Sequence, residues 1–342
     1  MPEETLVRRS RRKGSGAVTL RDVARLAGVA PITASRAMNT PSLVSAEVRT
    51  RVADVVSRTG YVPNLLAGGL SSMRSRVVGV AVPTIAGPVF LDMVQSLTAN
   101  LFDHGYQVML GQTGYDNERE DAWLAAVLGR RPDSIVLTGI VHSTTARTRL
   151  LASGIPVIET WDLTPTPIDM LVGFSHLEVG RAVASHLVAK GRRRLAGVGG
   201  DDERAQRRFR AFQQAANELG VGEVPVATVR TPTTIGSGRQ GLAELLDQHP
   251  DIDAVFCSSD QLAIGVMTEA QARGIAIPQQ LAVMGFGDLA FAASLHPALS
   301  SVRIDGTAMG ARVAKFIVDR AEGEVSEKVI DVGFSIVARD SV

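Results

Sequence analysis

From residue 19 apolar positions recur at helical spacing in three short segments, and from residue 77 they give way to short apolar runs separated by amphipathic stretches. In the first segment Leu20, Val23, Ala24 and Ala27 share one face of a helix that Thr19 can cap and that Gly28 can end in a left-handed conformation. A three-residue turn leads to a second helix starting at Pro31, a favoured first helical position. That helix would bury Ala34, Ala37 and Met38 and leave Pro31, Ile32, Ser35 and Arg36 facing outward. Ser45 caps a third helix whose Val48, Val52, Val55 and Val56 close a small core before Gly60 and Pro63 stop it. Two short helices joined by a Gly-containing turn, with polar residues early on the exposed side of the second, predict a helix-turn-helix that sets a helix N-terminus in a DNA major groove.

The rest of the chain reads as two sets of alternating strands and helices. Strands are expected at 77–82, 107–110, 134–137 and 156–158, with helices near 90–104, 118–130 and 144–153. A second set places strands at 195–199, 224–229, 254–257 and 281–285, with helices near 178–190, 205–219, 238–248 and 261–273. Repeated βα order predicts parallel sheets covered on both faces. Two such sets predict two lobes, with a ligand cleft at the carboxyl ends of their strands. The fold class expected is an all-α helix-turn-helix head followed by a two-lobed α/β core.

Composition narrows the function. With 342 residues and 45% hydrophobic content the chain can bury a large core. No apolar run reaches membrane-spanning length and the start lacks a signal-peptide stretch, so a cytoplasmic protein is expected. The single cysteine, Cys257, excludes an intrachain disulfide and a cysteine zinc site, and its apolar neighbours point to a buried strand thiol. The net charge of +1 conceals a division, since residues 1–76 carry net +8 and the remainder net −7. A basic end on an acidic body points to phosphate contact confined to that end. Residues 1–17 read as a disordered basic arm or as a merely solvated tail.

Several motifs carry candidate chemistry. Gly236-Ser-Gly-Arg-Gln-Gly241 matches a dinucleotide fingerprint, but Arg230 to Ile235 separate it from the preceding strand, so the match is read as coincidence. No phosphate loop, metalloprotease or hydrolase motif occurs and the six histidines are scattered, so no cofactor, metal or catalytic residue is expected. Arg204 and Arg208 follow the 195–199 strand, where a guanidinium can bind a carboxylate or hydroxyls. Ser259 and Asp260 follow the 254–257 strand, where Asp260 is either a ligand contact or a helix cap. Pro88, Phe90 and Trp161 sit in loops after strands, with core packing the competing reading for Phe90.

The stretch from Thr19 to Asn39, with Tyr61-Val-Pro-Asn64 and Leu66-Ala-Gly-Gly-Leu70, resembles the head of lactose-repressor/galactose-repressor (LacI/GalR) family regulators, and the resemblance continues to about residue 340. Pro88-Val-Phe90, His104-Gly-Tyr-Gln107, Gly114-Tyr115, Ile155-Pro-Val-Ile-Glu159 and Val172-Gly-Phe174 resemble the gluconate-repressor branch. The resemblance implies a periplasmic-binding-protein-like core crossed three times, near 173–176, 299–306 and 325–333. It thus implies an arm at 1–17, a head at 18–63, a hinge at 64–76 and a two-lobed domain at 77–342. Its lobes would span about 77–174 with 305–325 and 175–300 with 330–340.

For DNA contact the resemblance implies Thr19, Leu20, Arg21, Pro31, Ile32, Ser35, Arg36, Asn39, Ser45, Tyr61, Asn64 and Ala67, with Leu70 wedging into the minor groove. Ala30 stands where the family usually has a Ser cap, and Gly68-Gly69 where a helix former is usual. For the cleft it implies Pro88, Phe90, Trp161, Arg204, Arg208, Ser259, Asp260 and Asp288. Arg208-Phe-Arg-Ala-Phe212 departs from the family's Arg-x-x-Gly-Phe at Ala211, and Gly287 replaces an acid in Gly285-Phe-Gly-Asp288. Losing an acidic acceptor beside two arginines favours an anion over a neutral sugar. The expected protein is a homodimeric repressor of operator DNA controlled by a sugar acid such as gluconate. A sugar-acting enzyme on the same architecture and an architectural DNA binder without effector stay open on sequence.

Overall fold

The computed structural model describes residues 18–62, 74–86, 88–324 and 327–342. It divides into two units, one ending at Met73 and the other starting at Arg74. The basic arm and the hinge positions Asn64, Ala67, Gly68, Gly69 and Leu70 lie outside the described residues.

The first unit is built on helices α1 (Leu20–Ala27), α2 (Pro31–Asn39) and α3 (Ala46–Thr59). Thr19 opens α1 with a capping box, accepting from the Asp22 amide while Asp22 accepts from the Thr19 amide at 3.1 Å. Gly28 closes α1 at φ 66°, where a β-carbon would be strained. Ala30 supplies no side-chain cap to α2, so Pro31 alone, lacking an N–H to satisfy, sets its start. Val23, Ala24, Ala27, Ala34, Val52 and Val55 form the small buried core.

In the second unit β1 (Val77–Val82), β2 (Gln107–Gln112), β3 (Ser134–Thr138), β4 (Val157–Thr160), β5 (Met170–Gly173) and β11 (Val329–Asp331) form one sheet. Its order is β11-β5-β4-β3-β1-β2 with every pairing parallel. A second sheet contains β6 (Leu195–Gly200), β7 (Val226–Val229), β8 (Ala254–Cys257), β9 (Ala282–Gly287), β10 (Ser300–Arg303) and β12 (Ser335–Val337). Its order is β12-β10-β9-β8-β6-β7, and β12 alone runs antiparallel. Central strands such as β4 and β8 are buried along their whole length, as helices on both faces require.

The chain passes to the second sheet after β5, and after β10 it returns to form helix Gly306–Glu322 against helix Leu91–Phe102. Residues 330 and 331, expected in the second lobe, pair with Val172 and Gly173 of the first sheet. The last crossing therefore falls at 332–334. The Gly236–Gly241 fingerprint lies within helix Ile235–Gln248 and not in a strand-to-helix turn. A β-carbon on Gly238 would lie 2.3 Å from the Leu262 carbonyl oxygen, so this glycine serves close helix packing.

Beyond β3 a buried charge cluster ties the first lobe together. His142 Nδ1 lies 2.7 Å from Glu120 and Nε2 3.4 Å from Glu159. Burial disfavours the imidazolium, but the two carboxylates outweigh it and raise the pKa from 6.5 to about 9. The resulting stabilisation, roughly 3 kcal/mol, is complete below the unfolded pKa and is lost as pH rises through the folded one. Thermal unfolding of the wild type should thus lose stability between about pH 6.5 and 9. The His142→Gln variant should be less stable at pH 6.5 and show a flatter profile over that window, whereas parallel profiles would contradict this role.

Candidate functional site

The head presents one exposed face. Pro31, Ile32, Arg36 and Asn39 are exposed on α2, with Ser35 half-buried beside them. Ile32 is 60% exposed, an apolar side chain available to a thymine methyl or sugar. Arg21 is exposed on α1. Leu20 and Tyr61, expected at the DNA, pack partly buried against the three-helix core, because each supplies apolar area that the small core needs. The Thr19 and Ser45 hydroxyls accept from the amides of Asp22 and Val48 as helix caps. The face suits major-groove reading, with caps and arginines able to meet phosphates.

In the second unit β1 is flanked by β2 and β3, and β6 by β7 and β8, so strand order reverses at both. Crevices beyond the carboxyl ends of such strands are natural ligand sites. Pro88, Phe90, Trp161, Arg204, Arg208 and Ser259 are brought together there around one cavity of ≈ 90 Å³, room for several waters. Asp202, Tyr115, His176, Thr233 and Gln261 also line it, and sequence reading had missed them.

Arg208 is the innermost charge, only 5% exposed. Its Nη1 donates to His176 Nδ1 at 2.9 Å and its Nη2 to the Ser258 carbonyl at 3.1 Å. The guanidinium carbon stands 3.9 Å from the Phe286 ring centroid. Its Nε is buried with no hydrogen-bond partner among the described residues. Asp202 and Asp162, the carboxylates that act on it, pair instead with Arg204 and Arg207. Burial pulls the guanidinium pKa from 12.5 down to about 10, so it stays charged at neutral pH.

Helix Glu203–Glu218 can deliver this group because Gly180 of helix His176–Ala189 touches its backbone. A β-carbon on Gly180 would lie 2.2 Å from the Arg208 carbonyl oxygen and 3.0 Å from Ala211 Cβ. The small residue of this close contact is Gly180, which leaves room for Ala211 where the family motif has glycine.

Two further arginines of that helix reach the first lobe. Arg204 Nη1 donates to the Thr138 carbonyl at 3.2 Å, and its guanidinium covers the Phe90 and Tyr115 rings at 5.6 and 5.8 Å. Arg207 Nη1 pairs with Asp162 Oδ2 at 2.7 Å. Burial pushes the Asp162 carboxyl up, against the pull of Arg207.

Two expected ligand contacts face elsewhere. Asp260 is fully buried and accepts from Ser301 Oγ at 2.6 Å and the Leu289 amide at 2.7 Å. Both oxygens are thereby committed to holding the turn after β9 to β10, and burial raises its pKa to about 6. Asp288 pairs with Arg303 at 2.6 Å and Arg339 at 2.7 Å, at φ 49°, away from the cavity. Leu289, not Asp288, lines the cleft. Ser259 lines it while also capping helix Asp260–Ala272 through the Leu262 amide.

Comparison with known proteins agrees with this construction. Residues 19–64 match the model of bacterial regulatory proteins of the lacI family, and residues 184–342 that of the periplasmic binding protein-like domain. The chain is 37% identical over 331 residues to the HTH-type transcriptional regulator GntR of Pseudomonas aeruginosa, covering 96% of each chain. It is 32% identical over 326 residues to the regulator of the same name from Escherichia coli K12, covering 94% of this chain and 98% of that one. A LacI-family transcriptional regulator from Silicibacter pomeroyi superposes with a TM-score of 0.89 at 32% identity, over 95% of this chain and 99% of that one. The lac repressor dimer bound to operator and an anti-inducer shares the fold, with a TM-score of 0.82 at 22% identity over 95% and 99%. No helix among the described residues is long and apolar enough to cross a membrane. With an exposed reading helix ahead of a two-lobed cleft, and relatives of this similarity along nearly its whole length, the chain belongs to the LacI family of DNA-binding transcriptional regulators.

Proposed function

We propose that this regulator is a cytoplasmic, homodimeric repressor of sugar-acid utilisation genes, whose operator affinity is set by a gluconate-type acid in the inter-lobe cleft. The observation that carries the effector class is Arg208, a buried guanidinium with an unpartnered Nε and no carboxylate pair among the described residues. A monocarboxylate supplies the missing countercharge, and charge-assisted bonds to a guanidinium are among the strongest available. Asp202, Thr233, Ser259 and Gln261 offer partners for the hydroxyls, while Phe90 and Trp161 meet the carbon chain.

Control follows from differential binding. A ligand that prefers one inter-lobe arrangement shifts the population toward it, and linkage makes the effect on operator affinity reciprocal. If gluconate lowers operator affinity by some factor, operator lowers gluconate affinity by the same factor.

Two predictions test the two ends of the account. Arg208→Ala should weaken D-gluconate binding by about 2–5 kcal/mol and abolish its effect in operator gel shifts, with operator binding in its absence retained. The variant then behaves as permanently bound if the acid is an inducer and permanently released if it is a co-repressor; a normal response would remove Arg208 from the site. Arg36→Ala should weaken all DNA sequences alike and flatten the salt dependence if Arg36 holds a phosphate. If it reads a guanine edge, the loss should be about 1–3 kcal/mol and confined to the operator. Unchanged gel-shift affinity would take Arg36 off the DNA.

A further inference from the structure

His176 belongs to none of the motifs of the cleft, yet its two ring nitrogens contact two different elements that line it. It is 2% exposed and opens helix His176–Ala189, immediately after the first crossing between the sheets. Its Nδ1 lies 2.9 Å from Arg208 Nη1 in the second lobe, and its Nε2 lies 2.9 Å from the Trp161 carbonyl in the loop after β4. Trp161 adopts φ 66°, an uncommon conformation for a bulky residue. It is fixed there by its Nε1 donating to Met93 Sδ at 3.1 Å and by an edge contact with Phe90 at 5.0 Å. The imidazole itself packs edge-on to Phe174 at 4.7 Å.

The polarity of this chain of contacts has one solution. A guanidinium has donors only, so Nδ1 accepts; a carbonyl only accepts, so Nε2 carries the proton. A protonated imidazole would direct an N–H at the guanidinium. Burial, and after it the positive charges of Arg208, Arg204 and Arg207 on helix Glu203–Glu218, hold it neutral against the pull of the Trp161 carbonyl. With Nη1 on His176 and Nη2 on Ser258, the edge of Arg208 still without a partner is Nε.

We propose that His176 is a positioning residue of the anion site: as a neutral, Nε2-protonated imidazole anchored to Trp161, it fixes the Arg208 guanidinium with its Nε edge left for the effector's carboxylate. The inference rests on the reading that Arg208 receives that carboxylate, and it adds how the group is aimed. It also ties the backbone of the first lobe's Trp161, whose ring meets the carbon chain, to the orientation of Arg208.

Substitutions that split the two ends of the ring test this. Asn places an amide oxygen near the Nδ1 position and keeps the acceptor for Arg208. Gln places its amide nitrogen near the Nε2 position, keeping the donor to Trp161 but not that acceptor. Calorimetric titration should find His176→Asn within about three-fold of wild type for D-gluconate and His176→Gln weaker by roughly ten-fold, the value of one hydrogen bond to a charged group. Gln is nearer to histidine in size, so a packing role alone would reverse that order, and Gln binding as well as Asn would overturn the proposal.

A second readout uses the protein without ligand. Imidazole nitrogen NMR should show His176 as the neutral Nε2–H tautomer at pH 6, and Arg208→Met should raise its titration toward the ordinary histidine range. An Nδ1–H tautomer, or no response to loss of the guanidinium, would overturn the proposal whatever the ligand. If wild type takes up no gluconate while the ring behaves as described, the sugar-acid reading fails and the hold of His176 on Arg208 stands.

Discussion

The constraint on which the cleft depends is a buried positive charge without a paired carboxylate among the described residues. Removing a guanidinium from water costs several kcal/mol unless its donors are met. Here His176, the Ser258 carbonyl and the Phe286 face meet part of that cost. The nearby carboxylates are held by other arginines, so Arg208 keeps an unmet demand for an anion. A protein that needed only stability would gain by replacing such a group with an apolar one of similar volume. Retaining it makes sense as a site whose counter-ion arrives from solution.

The same helix that carries this demand also joins the lobes. Arg207 and Arg208 each lie about one turn beyond Arg204 on helix Glu203–Glu218, on the same side of it. Two of them reach the first lobe, at Thr138 and Asp162, while the third lines the cavity. A ligand held by Arg208 would therefore act on the same rigid element as the lobe contacts, which is what coupling between a cleft and its lobe arrangement requires. His176 adds a link from the same guanidinium to the Trp161 carbonyl.

Much of this was legible in the sequence because it rests on local chemistry. The Thr19 cap, the left-handed Gly28 and the Pro31 start are local signals, and they mark α1 and α2 where the structure has them. The βα alternation marks the sheets because buried parallel strands read as apolar runs. Strands β5, β10, β11 and β12, each of three or four residues, escaped, since so short a run carries too little period to stand out without a clear βα repeat around it. Asp260 and Asp288 illustrate another limit. Both sit where a ligand contact is plausible, but their oxygens are used by Ser301, Leu289, Arg303 and Arg339, partners that only the fold brings near. His176 was invisible for the same reason, lying 15 residues from Trp161 and 32 from Arg208 along the chain.

The most direct test of the central claim varies the ligand instead of the protein. D-gluconate and D-glucitol share a carbon chain and most hydroxyls and differ at the carboxylate, so calorimetric titration of the wild type with each isolates the charge that Arg208 is held to receive. A charge-assisted pair in a buried site predicts gluconate tighter by on the order of a hundred-fold; equal affinities, or tighter binding of glucitol, would contradict the account.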